Sequence, residues 1–349
     1  MALTIRSRVF GFTLATTVLS AAVWVGSTLA PTATAFAQGP LVPVMFQLNF
    51  TAGGFNAGFA LALQECYYKR EGLDVTIEKG QGSAITAQLV AAGKADIAYA
   101  DALAVMQLIA KGAPMKVVAT IYQSNPNAVT VLASSPIKTI QDLKGHSVGT
   151  PSGQSQTAMI PILFKANGLS DSDVKLVSMP GSAMVATLLQ HQVDAILGSL
   201  DAYDIILHQR GVETRDFAFG DYGVATVSTS VIASNAYLAQ HRDVVSKFLK
   251  ASLDGWNDAI KRPEDAIKAL QKTFPADADP ARNLAELKAA IGLVCKNGAK
   301  FVGKAEPEAW AYTTSVAQQV LDLPTSLPAT AYYTYEALPS TLPTSCPIR

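Results

Sequence analysis

An ordered run of residues occurs twice in this chain, and that repetition constrains the fold more than any other feature. The first copy runs Gly72-Leu73-Asp74-Val75, a short apolar strand, Gly82-Ser83-Ala84, a helical stretch, then Ala95-Asp96-Ile97 with Asp101 beyond. The second runs Gly168-Leu169, a strand at 174–178, Gly181-Ser182-Ala183, a helical stretch, then Val193-Asp194-Ala195-Ile196 with Asp201 beyond. Gly82 stands 14 residues before Asp96, and Gly181 stands 13 before Asp194. Around the first copy, β-branched runs at 43–48, 73–78, 96–100 and 116–122 read as strands. Helical periods at 56–69, 83–92 and 102–110 separate them. Alternation of this kind builds mostly parallel sheets flanked by helices, and the repeat makes two of them. The expected architecture is a two-lobed α/β fold with a cleft between the lobes.

The lobes do not begin at residue 1. Arg6 and Arg8 precede an uncharged apolar stretch at 9–29, and Ala35-Phe36-Ala37 offers a small-x-small processing site. This pattern reads as an export signal over 1–37, cleaved before Gln38; a membrane anchor is the alternative reading. Chain order then assigns 38–135 and 226–322 to lobe 1 and 136–225 to lobe 2. Hinge segments are expected near 129–135 and 224–233. Prolines at 324, 328, 339, 343 and 347 mark 323–349 as an irregular tail.

Charge excludes some partners. Two of the 27 Lys+Arg leave with the leader and none of the 27 Asp+Glu does, so the mature chain carries −2. That balance gives no hold on nucleic acid. Cys66 falls on an apolar helical stripe with Phe59, Leu63 and Tyr67 and reads as a core residue, while Cys295 and Cys346 read as a disulfide stapling the tail. Neither the cysteine spacings nor the four histidines suit a metal.

In open parallel sheets, ligands sit at the carboxyl ends of strands, where helices begin. Loops 50–55, 80–83, 151–154 and 179–182 occupy such ends, which makes Gly82, Ser83 and Ser182 candidate contacts; for both serines, capping a helix is the competing role. The loop over Ser152, Gly153, Gln154 and Ser155 has glycine and small polar donors with no apolar purpose. No arginine or lysine lies in these loops, Lys79 being the nearest. Aromatic, amide and hydroxyl groups alone suit a neutral heterocycle better than an anion.

Gly72-Leu73-Asp74-Val75, Gly82-Ser83, Gly93-Lys94-Ala95-Asp96-Ile97-Ala98 and Asp142-Leu143-Lys144-Gly145, with Val193-Asp194-Ala195-Ile196 and Asp221-Tyr222-Gly223, resemble one family. It is the periplasmic binding proteins of ABC importers for nitrate, sulfonates, taurine and thiamine-precursor pyrimidines. The resemblance implies a type II periplasmic binding protein fold and a small solute in the cleft. It also implies a membrane permease as partner, a periplasmic monomer and no cofactor. It places Asn49, Phe50, Phe55, Asn56, Tyr99, Asp101 and Asn125 in the cleft from lobe 1, and Ser152–Ser155 and Asp201 from lobe 2. Phe50 stands where pyrimidine-binding relatives have tryptophan, keeping a stacking face and losing the indole donor. Helix capping competes for Asp101 and Asp201, core packing for Phe50 and Phe55, and turn formation for Asn49. The expected ligand is aromatic or heterocyclic and thiamine-precursor-like; a sulfonate, taurine or nitrate anion is the alternative.

Two other classes share such a fold. A pyrimidine-synthase-like enzyme would need clustered cysteines and a reactive histidine, and the histidines here (146, 191, 208, 241) fall away from the cleft loops. A transcription regulator would begin with a helix-turn-helix where this chain has an export signal. A non-enzymatic binder is the expectation.

Overall fold

The computed structural model describes residues 39–152, 155–296, 299–321, 323–344 and 346. The export-signal reading over 1–37 and the cleavage site at Gln38 lie outside them, as do Gly153 and Gln154.

The first sheet takes β1 (Val42–Gln47), β2 (Leu73–Glu78), β3 (Ile97–Asp101) and β4 (Met115–Thr120). The chain then passes to β5 (Asn127–Leu132), β6 (Ser147–Pro151), β7 (Lys175–Met179), β8 (Ala195–Ser199) and β9 (Thr214–Ala218), and returns as β10 (Thr229–Ser234). The sheet orders are β2-β1-β3-β10-β4 and β7-β6-β8-β5-β9. In each, the first three strands are parallel and the last two pairings antiparallel. The two sheets therefore share one topology, each completed by a strand from across a crossing.

The repeated aspartates have a structural job. Asp96 Oδ2 accepts the Met45 N–H of β1 at 2.8 Å, and Asp194 Oδ2 accepts the Ser147 N–H of β6 at 2.8 Å. Each is the residue just before or at the start of its strand, and its carboxylate fixes the register of the central parallel pair. Its recurrence in the sequence reflects sheet assembly.

Helices flank the strands. They are α1 (Ala57–Gln64), α2 (Tyr67–Arg70), α3 (Ser83–Ala91), α4 (Ala102–Ala110), α5 (Ile160–Ala166), α6 (Met184–Leu189), α7 (Tyr203–Gln209) and α8 (Asn235–Gln240). Four longer ones follow, α9 (Arg242–Lys261), α10 (Pro263–Thr273), α11 (Pro280–Val294) and α12 (Pro307–Val320). The core over the first sheet is built on rings: Phe46 lies 4.8 Å from Phe59 and 4.9 Å from Phe248 between centroids, and Phe59 meets Trp256 edge-on. Offset and edge contacts of this kind add to the area they bury.

Two expectations change here. The helix expected over 56–69 is broken, because Cys66 adopts φ 59° between α1 and α2, and its thiol is exposed. The stripe of Phe59, Leu63 and Tyr67 ignored the turn that interrupts it. The second change concerns the crossing. Residues up to 135 were expected in lobe 1, yet β5 pairs with β8 and β9 in the second sheet. The chain leaves the first sheet at 121–126, and a hinge at 129–135 would cut through a sheet strand. The outgoing and returning segments pair with each other: the Ile121 and Tyr122 amides donate to Thr229 O, and the Ser228 amide donates to Tyr122 O. Asn125 Nδ2 donates to Val224 O at 2.5 Å and to Thr226 Oγ1 at 3.1 Å.

The tail is ordered along much of its length. Tyr333 bridges Val117 beside β4, Tyr332 is buried, and Cys346 bonds Cys295 with a Cα separation of 5.1 Å. Among the described residues no helix is long and apolar enough to cross a membrane.

Candidate functional site

A cavity of about 430 Å³ opens where the carboxyl ends of β1, β3, β6 and β8 converge, with both crossing segments in its wall. That is within the usual range for small-molecule sites.

The first-sheet wall begins with the loop after β1, contributing Asn49, Phe50 and Phe55. Backbone bonds hold this loop against the next one: the Gly80 amide donates to Phe50 O at 2.9 Å and the Gly82 amide to Asn49 O at 2.7 Å. Gly82, at φ 126°, lets the chain turn sharply into α3 where a side chain would be strained. Phe50 is 45% exposed, with its ring on the cavity, while Phe55 also packs on the core. The Asn49 Oδ1 is buried without a hydrogen-bond partner.

Ser83 does not cap its helix. Gly82 holds the cap position, and Ser83 Oγ instead accepts the Asp101 amide at 3.0 Å, tying α3 to the end of β3. Asp101 does cap: Oδ1 accepts from the Leu103 and Ala104 amides at 3.1 and 3.4 Å, and Oδ2 from Ser228 Oγ at 2.8 Å. Asp201, its counterpart in the repeat, behaves differently. Ala202 holds the cap position of α7, and Asp201 turns inward, accepting the Tyr122 hydroxyl at 3.0 Å and the Ser199 hydroxyl. Burial pushes its carboxyl pKa up, and the two hydroxyls pull it part of the way back. Ser83, Tyr99, Asp101, Ser152 and Asp201 all line the cavity.

Three candidates do not. Asn125 is consumed by the crossing-segment bonds given above. Ser182 is exposed outside the wall. Asn56 is buried behind the loop and neither polar atom of its amide has a partner. Ser155 begins a 3-10 turn over Ser155–Met159.

Several wall residues escaped the sequence reading. Tyr122 comes from the outgoing crossing, and Tyr203 from the start of α7. Arg282 and Glu286 come from α11, which lies far along the chain. A cation therefore does reach the wall, but Glu286 answers it: Arg282 Nε stands 3.3 Å from Glu286 Oε1. Glu286 Oε2 also accepts the Gly54 amide at 2.7 Å and Asn283 Nδ2 at 3.2 Å. Burial raises the Glu286 pKa, against those donors. The signal was present as polar residues 282, 283 and 286 opening the otherwise apolar stripe of α11.

Beneath the second-sheet wall, Asp204 and Asp216 share Thr214 Oγ1, with Thr130 Oγ1 donating to Asp216 at 2.5 Å. Burial first, and then neighbouring Asp204, push Asp216 up to about 6 from 3.8. The folded state thus holds more protons than the unfolded one between those values, so stability is greatest below the lower value and falls as pH rises through about 6. Denaturant midpoints from pH 4 to 7 should decline over that window, and Asp216→Asn should flatten the decline. A slope unchanged in the variant would contradict the assignment.

The model of the family described as NMT1/THI5 like matches residues 56–266. The chain belongs to that family. It is 27% identical over 244 residues to the riboflavin-binding protein RibY of Chloroflexus aurantiacus, covering 68% of each chain. It is 27% identical over 242 residues to a formylaminopyrimidine-binding protein of Halalkalibacterium halodurans, covering 68% of this chain and 73% of that one. Among solved structures, the periplasmic aliphatic sulphonate binding protein SsuA of Escherichia coli superposes with a TM-score of 0.65. The overlay covers 84% of this chain and 92% of that one at 18% identity. The fold is that of the periplasmic binding proteins. Arg282 and Glu286 lie beyond the matched segment, and so do the residues of the disulfide.

Proposed function

We propose that the chain is the extracytoplasmic solute-binding component of an ABC-type importer, taking a flat aromatic or heterocyclic solute into the cavity between its sheets. It would be a periplasmic monomer that hands its solute to a membrane permease and catalyses nothing. The observation that carries the ligand class is Phe50. A large ring left 45% exposed on a loop pinned by backbone hydrogen bonds presents a ready stacking face to the cavity, at little cost in ordering. Relatives named for riboflavin and for formylaminopyrimidine support a planar nitrogen heterocycle.

Contacts from both sheets give a mechanism for capture. A bound solute that touches Phe50 on one side and Ser152 or Tyr203 on the other favours whichever arrangement brings both walls against it, since only differential contact shifts such an equilibrium. A thermal-shift screen over riboflavin, aminopyrimidines, thiamine, taurine and alkanesulfonates tests the class. Phe50→Ala should weaken the best hit by roughly threefold to thirtyfold, counting the stacking contribution and some lost contact area. The melting temperature of the empty protein should barely move. A hit whose affinity ignores Phe50→Ala would put the site elsewhere.

A further inference from the structure

The cavity's carboxylates are not equally answered. Glu286 has Arg282, Asp277 at the rim has Lys79 at 3.0 Å, and Asp101 is taken up by the amides that begin α4 and by Ser228. Asp201 is different. It is 6% exposed, lines the cavity, and has no lysine, arginine or histidine nitrogen within 4.0 Å among the described residues. It accepts from two neutral hydroxyls, those of Tyr122 and Ser199. Buried charges are ordinarily paired, because the loss of hydration is severe. The cavity it lines is also lined by Phe50, Tyr99, Tyr122 and Tyr203, and ring faces attract cations.

Resting on the solute-binding reading above, we infer that the cavity selects a cationic aromatic solute, a planar ring bearing a protonated amine or amidine whose N–H groups donate to Asp201. The ligand supplies the counter-charge that the protein withholds. The aromatic side chains in the wall favour a flat cation over a free ammonium ion, and the carboxylate disfavours sulfonates, which would face it unpaired. Burial pushes the Asp201 pKa upward, and Tyr99, Tyr122 and Glu286 are titratable groups that feel its charge. A bound cation reverses that push and leaves the carboxylate ionised.

Three probes of one ring size separate charge from shape: benzamidine, benzamide and benzenesulfonate, titrated calorimetrically into the full mature protein. Benzamidine is expected to bind at least tenfold more tightly than benzamide, and benzenesulfonate not at all. Asp201→Asn, nearly isosteric, should weaken benzamidine by roughly thirtyfold or more and erase its advantage over benzamide. Benzamide should bind Asp201→Asn as it binds the wild type, which guards against a misfolded variant. Absence of benzamidine binding at millimolar concentration, equal binding of the three probes, or a preference for the sulfonate overturns the inference. The broader reading fails separately, when no solute in the screen shows an affinity that depends on Phe50.

Discussion

Replacing Cys346 with serine should cost this protein about 4 kcal/mol of stability. The Cys295–Cys346 bond closes a loop of 51 residues, and in the chain-entropy model a cross-link of that span restricts the unfolded ensemble by about that amount. The tail has non-covalent anchors as well, Tyr335 among them, which shape the expected result. The Tyr335 hydroxyl accepts Trp310 Nε1 at 2.8 Å and the Ala305 amide at 3.1 Å, and pairs with Thr120 Oγ1 at 2.9 Å. Cutting the disulfide therefore removes the covalent hold on 336–346 and leaves Tyr335, buried Ala337 and the Val302 amide on Pro343 O to keep the tail docked. Cys346 is itself buried against the first-sheet core, so a serine there also buries a hydroxyl; dithiothreitol-reduced wild type isolates the cross-link from that effect. Guanidinium unfolding of oxidised, reduced and Cys346→Ser protein should place the last two well below the first. Coincident curves for oxidised and reduced protein would mean that the non-covalent anchors of the tail suffice to fix it.

What the sequence made legible here is what the repeat encodes. Each copy carries the residues that set one parallel three-strand unit, down to Asp96 and Asp194 on the amides of the neighbouring strand, so two equivalent sheets could be read off spacing alone. The strand that completes each sheet is not in the repeat. β5 and β10 arrive from across the crossing, and no local pattern says which sheet a β-prone run will join; sheet membership depends on pairing at a distance. The site divides the same way. Gly-rich loops at strand ends announced Gly82 and Ser83, because backbone geometry there demands particular residues, while Asn49 and Phe50 came from the family resemblance. Tyr122, Arg282 and Glu286 are set by tertiary packing of a crossing segment and a remote helix, and only a polar interruption in the stripe of α11 hinted at the last two. The symmetry that found Asp201 misled about its role. Asp101 and Asp201 occupy matching positions, but Ala202 takes the cap of α7 and leaves Asp201 free to turn toward Tyr122.

Gly54→Ala should damage fold and site together, because Gly54 is where the loop that carries Phe50 meets the helix that carries Glu286. A Cβ at this position would fall on the carbonyl oxygen of Asn283, 2.5 Å from the Leu287 amide nitrogen and 2.8 Å from Glu286 Cβ. The obstructing atoms are mostly helix backbone, which cannot swing aside, so either α11 or the loop must retreat. Overpacking of this kind costs about 1–3 kcal/mol. Retreat also stretches the 2.7 Å bond from the Gly54 amide to Glu286, and a buried carboxylate that loses a donor adds roughly 1–3 kcal/mol. Together about 2–6 kcal/mol should be lost, with binding of any cleft solute down at least tenfold as Asn49, Phe50 and Phe55 shift out of register. Gly53→Ala offers a graded comparison: its Cβ would meet the Phe55 ring at 2.6 Å and Glu286 Oε2 at 2.8 Å, side-chain atoms that can yield, so it should disturb the site more than the fold. Gly39→Ala, with nothing within 4 Å, should do neither. Melting curves and one binding titration for the three variants rank the effects. A Gly54→Ala protein that melts like wild type yet binds normally would show that α11 rests on the loop loosely, and Glu286 would then be a neighbour of the cavity with no part in holding its shape.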